Sequence, residues 1–238
     1  MNILIPMAGL GSRFSKAGFA MPKPFIDVSG KTMIQRVCEN FDSDFVKFIF
    51  VINKNIISSD ALAKNLSGLS SKVEIVEIDN TPNGSAISCL SAESLIAGHP
   101  LVVVNCDQII SDFKWEFFLS FLAKKSPDAV LGAFNSSSNK NSFMKLDSKC
   151  QVSEVREKIV ISNIASNGFH YWKDGSMFVD SVNCMISDNH SYNGEYYVAP
   201  SFNYLPTGSV ILPYYFNGHF PIGTPEDLEL YLSYNAKV

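Results

Sequence analysis

Two glycines, an arginine and a lysine lie close together near the start of this 238-residue chain. Residues 2–5 are mainly apolar and partly β-branched, which predicts a buried strand of a parallel sheet. The loop that follows contains Gly9 and Gly11, so it brings backbone N–H groups with few side chains to the carboxyl end of that strand. Such groups bind phosphate oxygens, and Arg13 and Lys23 add positive charge nearby. The segment therefore predicts a phosphate-binding loop.

The glycines alone are weak support, because many tight turns after strands contain two of them. The loop is not a P-loop, since the Gly-Lys-Ser/Thr ending is absent, and it lacks the third glycine of the dinucleotide fingerprint. Two motifs together favour phosphate binding. They are Gly-x-Gly-Ser-Arg-Phe at residues 9–14 and Pro-Lys-Pro-Phe at residues 22–25. A dinucleotide-dependent oxidoreductase is disfavoured further, because no ribose-binding acid stands at the usual distance.

Asp107 follows the most apolar segment of the chain, residues 101–104. A carboxylate at the carboxyl end of a central parallel strand projects into the crevice where such sheets bind ligands. Magnesium prefers oxygen ligands and binds beside phosphates, so Asp107 is a candidate metal ligand. The alternative is that Asp107 caps a turn or helix before Ser111.

Other polar residues give less specific signals. Glu157 and Lys158 lie in a segment predicted to be an exposed strand, where such a pair is usually solvated, so the residues alone leave the role of Lys158 open. Four histidines and five scattered cysteines show no metal-ligand spacing, and we expect the cysteines to be reduced. No serine or cysteine has an evident base partner for covalent catalysis. A packed core is favoured over a ligand pocket for Tyr192, Tyr196, Tyr197 and Tyr204.

Strands and helices alternate over the first half of the chain. Strands are predicted at residues 46–52, 73–78, 101–104 and 129–134, and helices at 32–41, 56–69, 84–93 and 115–125. This order is typical of a doubly wound α/β fold, with a mostly parallel mixed sheet and helices on both faces. From residue 135, shorter alternating segments predict a smaller antiparallel lobe. Thr224 and Pro225 predict the start of a last helix.

The length accommodates one large α/β domain, and no linker-like run interrupts it, so we expect a single domain over residues 1–238. The formal net charge is −4 with no basic block, which disfavours nucleic acid as a partner. Met1 leads directly into a strand, and the apolar segments are shorter than the roughly 20 residues that cross a bilayer. We therefore expect a cytoplasmic protein without membrane partners. The sequence leaves the oligomeric state open.

Residues 6–25, with Gly-Lys-Thr-Met-Ile at 30–34, resemble the signature of the nucleotidyltransferases that make nucleotide-activated sugars and related head groups. The resemblance extends over nearly the whole chain. It implies a Rossmann-like enzyme that transfers a nucleoside monophosphate to a phosphorylated small molecule and releases pyrophosphate. It also implies Mg²⁺ as cofactor, with Mn²⁺ as a substitute. Residues 1–134 would bind the nucleotide, and residues 135–238 the acceptor.

The resemblance assigns roles to individual residues. It implies that Arg13 and Lys23 are catalytic and that Asp107 binds the metal. The nucleotide-binding residues that we predict are Met7, Ala8, Gly9, Gly11, Ser12, Arg13, Lys23, Asp79, Gly84 and Ser85. The predicted acceptor-binding residues are Lys158, Asn167, Gly168 and Glu195. Among the nucleotide-binding residues, Asp79 is a candidate to accept a hydrogen bond from a cytosine amino group, as carboxylates do in base recognition.

The short opening segment, with Pro-Met-Ala at residues 6–8 and Ser12, is similar to that of family members from capsule and surface-polysaccharide pathways, many of which use CTP. Within that group the chain most resembles the cytidylyltransferases that activate phosphoglutamine. This resemblance implies CTP as the donor and phosphoglutamine as the acceptor. A hexose 1-phosphate is the alternative acceptor.

The chain departs from the family at two positions. The family usually has a second metal-binding Asp two residues before its final Gly-Thr, where this chain has Pro221. Either Asp107 holds the ion with phosphates and water, or Glu195 or Asp227 contributes. Ile159 stands where proline commonly follows the Glu-Lys pair. These departures leave open a regulatory protein that binds nucleotide with little turnover, although the retained charges of the opening loop favour an enzyme.

Overall fold

The computed structural model describes residues 1–41, 44–69 and 72–235. The strands are β1 Asn2–Pro6, β2 Asp27–Val28, β3 Lys31–Thr32, β4 Lys47–Asn53, β5 Lys72–Ile78, β6 Leu101–Val104, β7 Gln108–Ile110, β8 Ala129–Asn135, β9 Ser142–Leu146, β10 Val152–Glu157, β11 Ile164–Trp172, β12 Ile211–Tyr215 and β13 His219–Pro221. The helices are α1 Ser12–Lys16, α2 Met33–Cys38, α3 Ser59–Asn65, α4 Ser85–Leu90, α5 Glu93–Ile96, α6 Trp115–Lys125, α7 Gly175–Ser187 and α8 Pro225–Asn235. Two 3-10 helices cover Lys23–Phe25 and Ala199–Tyr204.

A nine-stranded sheet forms the centre of the molecule. β1 lies between β4 and β6 and is parallel to both, while β5 extends this parallel part beyond β4. On the other side of β6, β11 runs antiparallel to β6 and β8, and β12 pairs in parallel with β8. The β9–β10 hairpin joins the amino-terminal half of β11. The predicted α/β fold with a mostly parallel mixed sheet is confirmed.

Each face of the sheet is covered by helices over an apolar core. Because side chains alternate along a strand, Ile3 and Ile5 of β1 face one core, while Leu4 faces the other. The first core includes buried side chains of α2, α3 and α6, and the second includes those of α4, α5 and α7. The rigid sheet therefore fixes the position of the loops at the carboxyl ends of its strands.

Local capping explains where several helices begin. Thr32 and Gln35 form a capping box at the start of α2, and the Ser58 side chain accepts a hydrogen bond from Ala61 N at the start of α3. Thr224 Oγ1 accepts from Asp227 N at 3.1 Å at the start of α8, as its sequence predicts. The predicted helix at 84–93 is instead two helices, α4 and α5.

Antiparallel pairing is concentrated in the second half of the chain, as its sequence pattern predicts. It comprises the β9–β10 hairpin and the pairing of β11 with β6, β8 and β9, and β13 forms a short antiparallel pair with β7. β11 is buried along almost its whole length because sheet neighbours and core side chains surround it, so it is a central strand of the main sheet. In the described part of the chain, no helix has the length and apolarity needed to cross a membrane.

Candidate active site

A cleft of about 440 Å³ opens at the carboxyl ends of β1 and β6. This is the edge at which parallel α/β sheets bind their ligands. The structure brings most of the predicted nucleotide and metal residues together here. They are Met7, Ala8, Gly9, Gly11, Ser12, Lys23, Gly84, Ser85 and Asp107, and Glu195 also lines the cleft.

The glycine loop at residues 9–12 lies close to Lys23. Gly11 has φ 60°, a left-handed conformation that glycine adopts without strain, and a Cβ there would lie 3.2 Å from Lys23 Cβ. The next turn, α1, is anchored by Phe14, which is 1% exposed and makes an edge-to-face contact with Phe19. The loop backbone therefore stays at the mouth of the cleft beside Lys23.

Lys23 and Asp107 form an ion pair across the cleft, with 2.5 Å between Nζ and Oδ2. Burial alone would lower the pKa of Lys23, but the Asp107 carboxylate raises it above its usual value. Ile222 N donates to the Asp107 carbonyl oxygen at 2.9 Å, and a Cβ on Gly223 would lie 2.7 Å from Asp107 Oδ2. The Gly-Thr segment near the end of the chain thus lies directly against the predicted metal ligand.

The oxygen donors near Asp107 fit a magnesium ion that is shared with a phosphorylated substrate. Magnesium is usually held by one or two carboxylates, with water and phosphate oxygens as its remaining ligands. Asp107 and Glu195 line the same cleft, whereas Pro221 offers no side-chain oxygen and pairs with Gln108 in the β7–β13 ladder. Within the described ranges, no three His, Cys, Asp or Glu side chains gather as a metal site of their own.

A second, more polar cavity of about 220 Å³ adjoins the cleft. Ser85, Asn105 and Tyr197 line both spaces, so the two lie side by side. The second cavity carries three cationic side chains, which are Arg13, Lys140 and Lys158. Arg13 was predicted at the nucleotide, and the structure places it on the wall of this adjoining cavity.

Lys158 is held at the second cavity by aromatic and acidic neighbours. Its Nζ donates to the Tyr197 hydroxyl at 2.6 Å and lies 4.3 Å from the Tyr197 ring centroid and 5.2 Å from that of Tyr192. Glu157 Oε1 lies 3.9 Å from the same nitrogen. Burial raises the pKa of Glu157, although a hydrogen bond from the Ser142 hydroxyl opposes that shift.

Two predicted site residues lie apart from the cavities. Asp79 forms an ion pair with Lys54 at 2.6 Å, and its side chain is 72% exposed. The cleft is lined instead by Thr81, whose hydroxyl donates to the Ala8 carbonyl oxygen at 2.7 Å. A contact between Asp79 and a base therefore stays a prediction that this placement does not favour.

Asn167 is directed into the protein interior. Its Oδ1 accepts from Phe169 N at 3.1 Å, and a Cβ on Gly132 would overlap the same oxygen. Gly168, in contrast, lines the second cavity with φ 82°, and its carbonyl oxygen accepts from Asn105 N at 3.2 Å. Gly168, rather than the Asn167 side chain, therefore faces the space that a ligand would occupy.

Two residues that were not among the predicted site residues line the second cavity, Tyr197 and His170. Tyr197 was expected in a packed core, but it lines both cavities and its hydroxyl donates to Glu195. The sequence signal for this placement was that Tyr197 follows Glu195 by two positions, because side chains two positions apart point to the same side of an extended chain. His170 lines the second cavity although it is 4% exposed, with Nε2 3.1 Å from Ser166 Oγ.

Solved structures resemble this chain along its whole length. A nucleoside-diphosphate-sugar pyrophosphorylase from Vibrio cholerae RC9 is 22% identical with a TM-score of 0.84, covering 97% of this chain and 99% of its own. A candidate glucose-1-phosphate thymidylyltransferase from Bacillus anthracis, in complex with a sucrose, is 18% identical with a TM-score of 0.83, covering 100% and 96%. A UDP-glucose pyrophosphorylase complexed with UDP-glucose is 17% identical with a TM-score of 0.79, covering 99% and 98%. At these identities the likeness establishes the fold.

The family comparison concerns the half of the chain that carries the cleft. A search of curated proteins finds no match. The family model described as the MobA-like NTP transferase domain matches residues 3–138, which is more than half of the chain. This range includes the glycine loop, Lys23 and Asp107. The chain belongs to the MobA-like NTP transferase domain family, whose members are nucleotidyltransferases.

Proposed function

We propose that this protein transfers a nucleoside monophosphate from a nucleoside triphosphate to a phosphorylated small molecule, releasing pyrophosphate. The observation that supports this most is the pair of adjoining cavities, which share three lining residues. One has the glycine loop, Lys23 and Asp107 and suits a triphosphate, while the other has Arg13 and Lys158 and suits an acceptor phosphate. We assign residues 1–134 to the nucleotide and residues 135–238 to the acceptor.

The reaction that we propose is a single in-line displacement. An oxygen of the acceptor phosphate forms a bond to the α-phosphorus, and the bond to the oxygen that leads to the β-phosphate breaks. Pyrophosphate leaves with that electron pair. Because the attacking oxygen is already anionic, no general base is needed, and catalysis depends on positioning and charge neutralisation.

Each cationic group has a separate part in this reaction. The backbone N–H groups of residues 9–12 bind the β- and γ-phosphates, and Lys23 neutralises charge that develops at the α-phosphate. Arg13 lies at the adjoining cavity, so we propose that it contacts phosphate oxygens where donor and acceptor meet. Lys158 binds the acceptor phosphate.

The carboxylates supply the proposed metal site. Asp107 would hold Mg²⁺, or Mn²⁺ as a substitute, together with phosphate oxygens of the substrate, and Glu195 is available as a second carboxylate. A bound ion would neutralise phosphate charge during the displacement. Pro221 makes this site poorer in carboxylates than the family pattern.

For the substrates, we propose CTP as donor and phosphoglutamine as acceptor, in cytoplasmic biosynthesis of a capsule or surface polysaccharide. The resemblance of the opening segment to capsule cytidylyltransferases supports this choice. A sugar 1-phosphate is the alternative acceptor, and the structural neighbours named for UDP-glucose and glucose 1-phosphate favour it. A regulatory protein with weak turnover is the other alternative, and Pro221 is the observation in its favour.

Pyrophosphate release from ATP, CTP, GTP and UTP, each combined with phosphoglutamine or glucose 1-phosphate, tests the proposal. We expect the fastest release with CTP and phosphoglutamine in the presence of Mg²⁺, and the Lys23→Ala variant as a control should release little. Faster release with glucose 1-phosphate would favour a nucleotide-sugar pyrophosphorylase. Calorimetric binding of a nucleotide without release under any condition, with Mg²⁺ or Mn²⁺, would favour the regulatory protein.

A further inference from the structure

A tight turn at residues 192–197 connects the two cavities. Tyr192 and Glu195 exchange two backbone hydrogen bonds, of 2.9 and 3.0 Å, and Asn193 and Gly194 between them have positive φ values of 52° and 78°. The turn carries Glu195 into the cleft. Tyr197, directly after it, lines both the cleft and the second cavity.

This turn is attached to residues 83–86, which include the predicted nucleotide-binding residues Gly84 and Ser85. Ala86 N donates to the Tyr196 carbonyl oxygen at 3.0 Å, and Tyr196 N donates to the Asn83 carbonyl oxygen at 2.8 Å. A Cβ on Gly84 would overlap the Tyr196 carbonyl oxygen, so the two backbones are in direct contact. The position of Tyr197 is therefore set by the nucleotide-binding half of the protein.

The hydroxyl of Tyr197 in turn determines where the Lys158 ammonium lies. It accepts from Lys158 Nζ at 2.6 Å and donates to Glu195, so both of its hydrogen-bonding capacities are used. A lysine has four flexible side-chain torsions, and without such a partner its ammonium samples many positions. Lys158 has φ 54°, so its backbone is already held in an uncommon conformation.

We propose that Tyr197 is a positioning residue that holds Lys158 for the acceptor phosphate, and that the 192–197 turn thereby connects the acceptor site to residues 83–86 of the nucleotide-binding half. This inference rests on the proposed function, in which Lys158 binds that phosphate. Tyr197 acts through Lys158, so removing its hydroxyl weakens phosphate binding only while Lys158 is present.

Calorimetric titration with inorganic phosphate tests this with four proteins: wild type, Tyr197→Phe, Lys158→Ala and the double variant. We expect Tyr197→Phe to weaken binding about tenfold in the wild-type background, since a hydrogen bond to a charged group is lost. In the Lys158→Ala background the same change should alter the remaining binding less than twofold. Tyr215→Phe, an exposed tyrosine outside both cavities, is the matched control and should bind as wild type does.

Equal losses in both backgrounds would overturn the inference, because they would show that Tyr197 supports the fold rather than Lys158. No loss in either background, or no phosphate binding by the wild type, would overturn it as well. Thermal melting of each variant identifies any that fail to fold. If Tyr197→Phe is among them, Tyr197→Trp, which keeps a ring but removes the hydroxyl, replaces it. The titration needs no turnover. A protein that shows the expected coupling but releases no pyrophosphate would contradict the proposed function alone.

Discussion

Lys23 and Asp107 neutralise each other across the cleft at 2.5 Å. The Lys23 side chain is 19% exposed and that of Asp107 is 22% exposed, so neither charge is fully screened by water. In the proposed reaction the Lys23 ammonium would bind phosphate oxygens, and the Asp107 carboxylate would hold the metal ion. The ion pair therefore holds the Lys23 and Asp107 side chains in the cleft before a substrate binds.

Removal of either cationic side chain at the phosphates should abolish most activity without unfolding the protein. We expect Arg13→Ala and Lys23→Ala each to lower kcat by roughly 10²–10³-fold, because charge stabilisation in the transition state is lost. Pyrophosphate release measures the rate, and circular dichroism verifies the fold. Lys16→Ala, an exposed lysine in the same short helix as Arg13, is the control. Turnover close to wild type in both variants would contradict the assignment.

The carboxylate of Asp107 should determine the metal requirement. We expect Asp107→Asn to raise the Mg²⁺ concentration for half-maximal rate at least about tenfold, because one anionic ligand becomes neutral. EDTA should stop the wild-type reaction, and added Mn²⁺ should restore it. Asp180→Asn, an exposed carboxylate on α7, should keep the wild-type Mg²⁺ dependence. An unchanged Mg²⁺ dependence in Asp107→Asn would place the ion elsewhere.

At the scale of the elements, the loop at residues 83–86 and the 192–197 turn are in contact at Gly84. This glycine has φ 112° and precedes α4. Its missing side chain leaves room for the Tyr196 carbonyl oxygen, which accepts from Ala86 N. The contact joins segments more than 100 residues apart in the chain.

Gly84→Ala should therefore destabilise the protein more than an alanine at another left-handed glycine. We expect a loss of about 3 kcal/mol of unfolding free energy, from the unfavourable φ together with the overlap at Tyr196. Gly208→Ala is the matched control, because Gly208 has φ 92° with open space around it, and about 1 kcal/mol is expected there. Urea unfolding measures both. Equal losses would show that the close approach is unimportant.

Elements with local signals could be predicted from sequence. β1, the glycine loop and the caps at Thr32 and Thr224 depend on neighbouring residues, and each lies where its sequence indicates. The position of Tyr197 between the cavities depends on the backbone hydrogen bonds of Tyr196 to Asn83 and Ala86, more than 100 residues away in the chain. Asn167 likewise faces inward because of tight packing against Gly132. No pattern of neighbouring residues reports such contacts.

At the scale of the whole molecule, one sheet carries both cavities. β1 and β6 present the cleft, and β11, paired to β6, presents Gly168 and His170 to the second cavity. The alternation of strands and helices predicted the parallel part of this sheet, and the shorter alternating segments after residue 135 predicted the antiparallel part, but neither pattern indicated which strands pair between the two. β11 joins the halves because its apolar residues pair with β6, and strand pairing over that distance leaves no local signal.

The buried His170 should make the stability of the folded protein depend on pH. Burial lowers the pKa of His170 to about 3, against 6.5 for an ordinary histidine. Between these values the unfolded chain binds the proton and the folded chain does not, so acid favours unfolding. From pH 7 to pH 5, this residue should lower the unfolding free energy by about 2 kcal/mol.

Urea unfolding of wild type and His170→Gln at both pH values measures this contribution. The variant should lose less stability between pH 7 and pH 5 than wild type does, whatever its starting stability. His99→Gln, which replaces an exposed histidine, should keep the wild-type loss. An identical loss in wild type and His170→Gln would contradict the neutral, buried state of the ring.

The most direct test of nucleotidyl transfer is the fate of each phosphorus of the donor. CTP labelled at either the α- or the γ-phosphorus is incubated with Mg²⁺ and phosphoglutamine, and the products are separated. We predict that the α-label appears in a cytidylyl-acceptor product and the γ-label in pyrophosphate. Transfer of the γ-label to the acceptor, or release of the α-label only as free CMP, would contradict the account.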